Sequence, residues 1–446
     1  MKRICLLTSF SDIQKAYSLN IICQYQLKQL LLNGYEPILI VHEGFKPEGI
    51  YAHPGIKIEY IPNAPAHNEV RKDETFDADV DAFEARFTEI FEKNQVDIVM
   101  THDVVYQPAC LKHNMAARRV AKKMPKIKWL HWIHSATSPL VLGNLTGIFP
   151  EEYTALLSQP FPNSFYVYPN AYAVPSVATN FNIPQEIVRV VSHPADICGN
   201  LEMSPELEEF VYAKDILNAD IVCTYPIRLD NGKQVEHVIK TIAMLKTFDL
   251  TVRLIVADFH STGPEKIEYR DKCKQIAIDY GLNSDELSWL SEQNEKWQYE
   301  IPQSSIIKLQ AISNVFIMPS VSETYSLVAQ EAALAGQVLV LNGDFPPFRA
   351  IYGENAIYRK YSSAYDSMAD DEHGMTANSW TDTKYGDDKT PEQARIQAEK
   401  DYHRITAGMI VAQLKTKPMA QKTLRRKVCN LMHNFKTELE PLFFMD

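Results

Sequence analysis

The stretch VFIMPSVSETYSLVAQEAALAG, residues 315–336, decides the fold. Its first four residues are apolar and short enough for a buried strand. From Tyr325 onward the spacing predicts a helix: Leu327, Val328, Ala329, Ala332, Ala333, Leu334 and Ala335 leave hardly any polar face, and Gly336 suits a C-terminal cap. A strand joined to a helix by a short loop is half of a βα unit, and the helix opens at the carboxyl end of its strand, where parallel sheets gather their ligands. Two carboxylates, Glu323 and Glu331, stand eight residues apart in this apolar setting. An ionised carboxylate in a protein interior costs several kcal/mol unless something pairs with it. Both glutamates are therefore expected to have partners.

Working outward, the same pattern recurs. Residues 221–225, 252–257, 287–290 and 337–341 read as strands, with helices predicted at 233–246, 265–280 and 304–311. Towards the N-terminus, strands are expected at 3–9, 37–42, 56–61, 96–101 and 127–134, with shorter elements up to 187–192. Helices are expected at 14–33, around Val80 to Phe91, and at 109–123. A chain of 446 residues exceeds one compact core. The reading is an α/β protein with two Rossmann-like, doubly wound domains facing a cleft, followed by C-terminal helices. The first domain is expected over 1–196 and the second over 197–420. Residues 361–389, rich in Ser, Asp, Gly and Thr, form a loop or insertion, and 421–446 form a helix returning to the first domain.

Composition narrows the function classes. A net charge of −11 argues against a surface that coats nucleic acid or anionic lipid throughout. Two stretches differ: 112–128 carries seven Lys/Arg and 415–427 carries six, neither with an acid. They read as solvated helix faces or as local contacts for a membrane surface or a phosphate backbone. Seven scattered cysteines without a C-x-x-C pair suit a reducing cytoplasm and offer neither a disulfide framework nor a zinc site. The first residues turn polar at Ser11 and Asp12, so they read as a strand rather than a signal peptide, and no run approaches bilayer length. A cytoplasmic protein, able to sit at the inner face of a membrane, is the expectation.

The carboxylates acquire a chemistry from their surroundings. A helix N-terminus offers unpaired N–H groups and partial positive charge, a seat for phosphate. Glu331 lies roughly 10 Å along the axis from that start. Acceptors on either side of a phosphate seat fit a ligand with hydroxylated rings flanking a diphosphate, and a nucleotide sugar is such a ligand. The bland reading is that Glu323 solvates a loop while Glu331 meets a basic residue. In 221–240, IVCTYPIRLDNGKQVEHVIK, Arg228 and Lys233 follow the second domain's first strand. A lysine where a helix begins opposes the helix dipole, so an anion is expected to hold it.

Together these residues resemble the retaining glycosyltransferases of the GT-B fold, family 4, whose E-x7-E motif reads here as Glu323 and Glu331. The resemblance covers most of residues 2–358. It implies that Arg228 and Lys233 hold the donor diphosphate, assisted by the amides of Tyr325, Ser326 and Leu327. It implies that Glu331 binds the ribose hydroxyls and Glu323 the transferred sugar. WLHWIHS at 129–135 resembles the strand ending in that family's active-site histidine, which implies a role for His134 near donor sugar and acceptor. On a strand His131 and His134 point to opposite faces, so they cannot share one metal. Retention of anomeric configuration follows from attack on the face the leaving group departs, with neither metal nor cofactor required.

The chain departs from the family in its glycines. Ser9, Phe10, Ser11 and Asp12 replace a Gly-Gly loop, Ser326 replaces Gly in Glu-x-Phe-Gly-Leu, and Asp258 stands where Gly is expected. No G-x-G-x-x-G or P-loop is present, which removes the dehydrogenase and nucleotide-triphosphatase readings. Asp77, Asp79 and Asp81 read as helix-start acids rather than a D-x-D metal motif. The expected acceptor is a glycan or lipid-linked intermediate. The alternatives are a modified DNA base, as in phage-type glycosyltransferases, and a non-catalytic nucleotide-sugar binder that keeps the GT-B scaffold.

Overall fold

A computed structural model of the chain describes residues 2–13, 18–62, 75–107, 110–139, 155–259, 263–321, 323, 326–361 and 390–445. The chain divides into two compact units, Met1–Asp196 with Leu431–Asp446, and Ile197–Asn430.

The first unit is built on a seven-stranded sheet whose paired strands are all parallel: β1 (Ile4–Leu7), β2 (Ile38–His42), β3 (Lys57–Ile61), β4 (Ile98–His102), β5 (Lys128–Trp132), β6 (Ser164–Tyr168) and β7 (Val188–Val190). Their order is β3-β2-β1-β4-β5-β6-β7, so the winding reverses between β1 and β4. Alternation along β1 explains the two layers. Cys5 and Leu7 face a core shared with α2 (Phe76–Asn94) and α3 (Leu111–Lys123). Ile4 and Leu6 face a core formed with α1 (Ser18–Leu32) and the C-terminal segment.

The second unit repeats the plan with β8 (Ile221–Arg228), β9 (Val252–Phe259), β10 (Leu287–Trp289), β11 (Val315–Met318), β12 (Val338–Asn342) and β13 (Ile357–Arg359). The order β10-β9-β8-β11-β12-β13 reverses between β8 and β11. Both orders follow the Rossmann sequence of strands, 3-2-1-4-5-6. Helices here are α4 (Pro205–Ala213), α5 (Val235–Leu245), α6 (Pro264–Asp279), α7 (Gln303–Ile312), α8 (Leu327–Leu334), α9 (Pro346–Tyr352), α10 (Pro391–Leu414) and α11 (Lys417–Cys429).

Two differences from the sequence reading have physical reasons. Strand β8 continues past the expected residue 225 to Arg228, through Pro226. Its register with β11 includes only Cys223 opposite Val315, whereas β9 accompanies it to the end, so the missing proline N–H costs no ladder bond towards β11. The cut between the units falls after Asp196, and α4 begins at Pro205 with Ser204 Oγ accepting from Leu207 N–H. The return to the first unit begins at Leu431, not at 421. Helix α11 stays with the second unit because buried Arg426 donates to the carbonyls of Ile216 and Ala219, and Lys427 pairs with Asp220 at 2.5 Å. In the first unit the returning segment is held by Gln29, which donates to Leu431 O and Asn434 Oδ1, and by buried Phe435, Leu439, Leu442 and Phe443. Apart from Tyr361, the 361–389 insertion lies outside the described residues.

Candidate functional site

In the second unit the loops after β8 and β11 leave from strands that flank the point where the winding reverses. A crevice for ligands forms at such points because neighbouring loops diverge there. After Arg228 the chain makes one 3-10 turn, Asn231–Lys233, and α5 begins only at Val235, behind Gln234 in the left-handed region at φ 50°. Lys233 thus precedes the helix rather than opening it. One backbone contact joins the loops, Val321 N–H donating to Gly232 O at 3.0 Å, and within the first loop the Tyr225 hydroxyl donates to Lys233 O at 2.8 Å. Glycine at 232 suits the approach, since a Cβ there would lie 3.2 Å from Asp230 Oδ1 and 3.3 Å from the side chain of Val321, and both would have to shift by a few tenths of an ångström.

This junction places the Lys233 Nζ against Glu323 Oε1 at 2.5 Å. The pair is mostly shielded, with the lysine side chain 22% and the glutamate 15% exposed. The cation expected to await an anion already has one, and it is the other candidate residue. Arg228 is directed largely to solvent, its Nε 3.9 Å from Asp230. Glu331 accepts from Gln303 Nε2 at 3.2 Å and is only half-buried.

The premise that α8 lies in the interior is corrected. It begins at Leu327, not Tyr325, and buries only Ala329 and Ala332, while Leu327 and Leu334 are 69% and 81% exposed. The apolar periodicity belongs to a surface helix touching the sheet by its small residues, so Glu331 does not bear the full cost of burial. Ser326 is the N-cap, its Oγ accepting from Ala329 N at 3.2 Å, and its φ of 65° is the left-handed conformation that glycine adopts freely. The chain keeps the glycine geometry without the glycine. Tyr325 lies outside the described residues. At the other missing glycines, Asp258 is fully buried and accepts from Ser291 N and Oγ, and Phe10 is buried with its carbonyl accepting from His42 N–H.

The first unit gathers a second constellation beyond β4, β5 and β7. His131 lies inside β5, buried and bonded to Thr101 Oγ1 at 2.8 Å. His134 lies past the strand. Its Nε2 meets His102 Nδ1 at 3.1 Å, and its ring stacks between those of His102 and His193, with centroids 5.4 and 5.8 Å apart. His102 Nε2 meets Gln26 Oε1 at 2.8 Å, and Asp103 Oδ1 accepts from His134 N–H at 3.1 Å. Burial, followed by the charge of His193, lowers the His134 imidazole to about 4, and burial lowers His102. Burial pushes the Asp103 carboxyl up to about 6. Among the described residues no group of three His, Cys, Asp or Glu is arranged to hold a metal ion. Sequence reasoning missed His102 and Asp103. Their signal was their place, at the end of the strand beside the first unit's winding reversal.

The two basic stretches are largely used internally. In 112–128, buried Lys112 pairs with Asp79 at 2.5 Å, Arg119 with Asp81 and Glu84, and Lys123 with Glu84. Arg118 is buried and donates to the carbonyls of Gln159 and Pro160. The acids of the 77–81 triplet thus lie at the start of α2, two of them paired with α3. In 415–427, Lys422, Arg426 and Lys427 bond within the second unit, leaving Lys415, Lys417 and Arg425 exposed. No described helix is long and apolar enough to cross a membrane.

No family model matches the chain, and no curated protein matches it. Solved structures similar in chain course include a glycosyltransferase from Rickettsia africae (15% identity, covering 99% of this chain and 98% of that one, TM-score 0.38). Sucrose-phosphate synthase from Thermosynechococcus elongatus is similar at 14% identity, 94% and 100% coverage and TM-score 0.33. Anabaena HepE in complex with UDP is similar at 13% identity, 99% and 100% coverage and TM-score 0.34. The assignment of two doubly wound α/β units rests on their strand orders and not on these likenesses.

Proposed function

We propose that the chain is a GT-B glycosyltransferase that moves a sugar from a nucleotide-diphosphate donor to a hydroxyl acceptor with retention of configuration. The observation that supports this most directly is the meeting of Lys233 and Glu323 at the second unit's winding reversal, beside the start of α8. A cation, a carboxylate and a helix N-terminus in one place supply what a phosphorylated sugar needs: countercharge for the diphosphate and an acceptor for sugar hydroxyls. In this reading the diphosphate takes Lys233 from Glu323 and draws in the solvent-exposed Arg228, while the freed Glu323 turns to the sugar. Tyr325, Ser326 and Leu327 amides assist at the phosphate, and Glu331 binds the ribose. As the bond to the leaving phosphate breaks, negative charge grows on it, and these cations and amides stabilise that charge. His134 is the first-unit residue given a role, on the side of sugar and acceptor. The acceptor is proposed to be a glycan or lipid-linked intermediate, and the enzyme to work in the cytoplasm without a metal.

A thermal-shift screen against a panel of nucleotide sugars tests the reading, since a ligand that binds only the folded state raises the melting temperature. One donor is expected to stabilise the wild type and to be hydrolysed slowly or transferred. Lys233→Ala and Glu331→Ala are expected to fold and to lose that shift and turnover. Full activity in both variants would remove the assignment.

A further inference from the structure

The stack of three imidazoles in the first unit contains more order than a role for His134 alone requires. It runs from the interior to the surface: His102 is 1% exposed, His134 half-buried, and His193 exposed. The backbone around it is strapped. Asp103 N–H donates to Trp132 O at 3.0 Å, and the Asp103 carboxylate accepts from His134 N–H, so the ends of β4 and β5 are tied on both sides of the ring pair. Asp103 adopts φ 54° to do this, a conformation an aspartate tolerates better than most residues.

A neutral imidazole has one N–H and one lone pair, and the partner of either nitrogen decides where the proton sits. The chain of contacts here runs in one direction. Gln26 Oε1 is an acceptor only, so His102 Nε2 facing it carries a proton. His102 Nδ1 is then a lone pair, and the His134 Nε2 that meets it carries the proton of that bond. The remaining nitrogen of His134, Nδ1, has no hydrogen-bond partner among the described residues.

We propose that His102, backed by Gln26, is a positioning residue that holds His134 in its Nε2–H form and presents Nδ1 as a fixed lone pair for a hydroxyl donor. This rests on the transferase reading for what the hydroxyl belongs to, a sugar or an acceptor, but the protonation pattern belongs to the first unit alone. His193, stacked on the outer face, limits rotation of the His134 ring from the solvent side. Burial of the cluster acts in the same sense, because it keeps the rings neutral at physiological pH.

The test is long-range proton–nitrogen correlation on the full chain with ¹⁵N-labelled histidine, at neutral pH, the His134 signals assigned with His134→Gln. The expected result is a neutral His134 protonated on Nε2. His102→Phe keeps a stacking ring and removes the acceptor, so His134 is expected to become a tautomer mixture. His102→Asn, whose Oδ1 stands near the lost Nδ1, is expected to restore the Nε2–H form. If a donor has been found, kcat is expected to fall at least about tenfold in His102→Phe with the donor KM little changed, and to recover in part in His102→Asn. A wild-type His134 protonated on Nδ1, or an unchanged tautomer in a folded His102→Phe, would overturn the proposal. Absence of transfer with every donor, alongside the expected spectra, would count against the transferase reading and leave this one standing.

Discussion

Ser326 shows how a single residue can keep a geometry while losing the residue type that suits it. An L-residue in the left-handed region costs roughly 1–2 kcal/mol, and the N-cap hydrogen bond to Ala329 offsets part of this. Exchanging a serine cap for glycine loses only a few tenths of a kcal/mol. Ser326→Gly is therefore expected to raise stability by about 0.5–1 kcal/mol, read as a higher urea midpoint at unchanged slope; a lower midpoint would contradict the strain argument. Glu323 carries the second prediction at this scale. Its carboxylate competes with any phosphate for Lys233, so Glu323→Gln should tighten binding of the selected donor's nucleoside diphosphate, without sugar, by roughly fivefold, the worth of a partly screened ion pair. Calorimetric titration showing equal or weaker binding would mean that Lys233 does not serve the diphosphate.

At the scale of elements, the small surface helix α8 depends on a neighbour far along the chain. The Lys422 ammonium of α11 donates to Ala335 O, at the end of α8, and to Ser313 O, at the end of α7. One cation thus satisfies the negative ends of two helices, and burial lowers its amine to about 8, which leaves it charged at neutral pH. Lys422→Met would strand both carbonyls at a cost of about 1–3 kcal/mol. It is expected to lower the melting temperature by several degrees and, by loosening α8, to weaken donor binding. A full-strength donor shift in a destabilised variant would separate the two effects. A comparable tie joins α5 to α10, where His403 bonds Thr241 Oγ1 and His237 Nδ1, and Lys240 pairs with Glu399.

Over the whole molecule these histidines give an acid limit. Burial is the first cause lowering His102, His113, His131, His134, His237 and His403, with values of about 3 for His113 and His237 and about 4 for His134. Each binds its proton more readily unfolded than folded. Their contribution is therefore fully present above the ordinary value near 6.5 and is lost as pH falls towards the folded values. Each histidine titrating only in the unfolded chain adds a slope of roughly 1.4 kcal/mol per pH unit. Asp103, raised to about 6, and Asp258, also raised by burial, work in the opposite sense but are two carboxyls against six rings. Stability measured by denaturant is expected to fall steeply between about pH 6.5 and 4; a flat profile there would show that the buried rings already carry charge.

The amino-acid pattern alone set the alternation of strand and helix, the break near 196, and the position of Lys233 and Glu323 in the loops that follow β8 and β11. Those properties follow from local periodicity and from the rule that parallel sheets open at their carboxyl edges. Tertiary packing alone decided that Lys233 and Glu323 hold each other, that most cations of the basic stretches meet acids and carbonyls of their own units, that α8 lies on the surface, and that His102 meets His134. Hydrophobic spacing tells which face of an element is buried, but not which strand lies beside it. Contacts between β8 and β11 loops, or between the ends of β4 and β5, arise from sheet order, and sheet order is set by packing across many residues rather than by any one stretch.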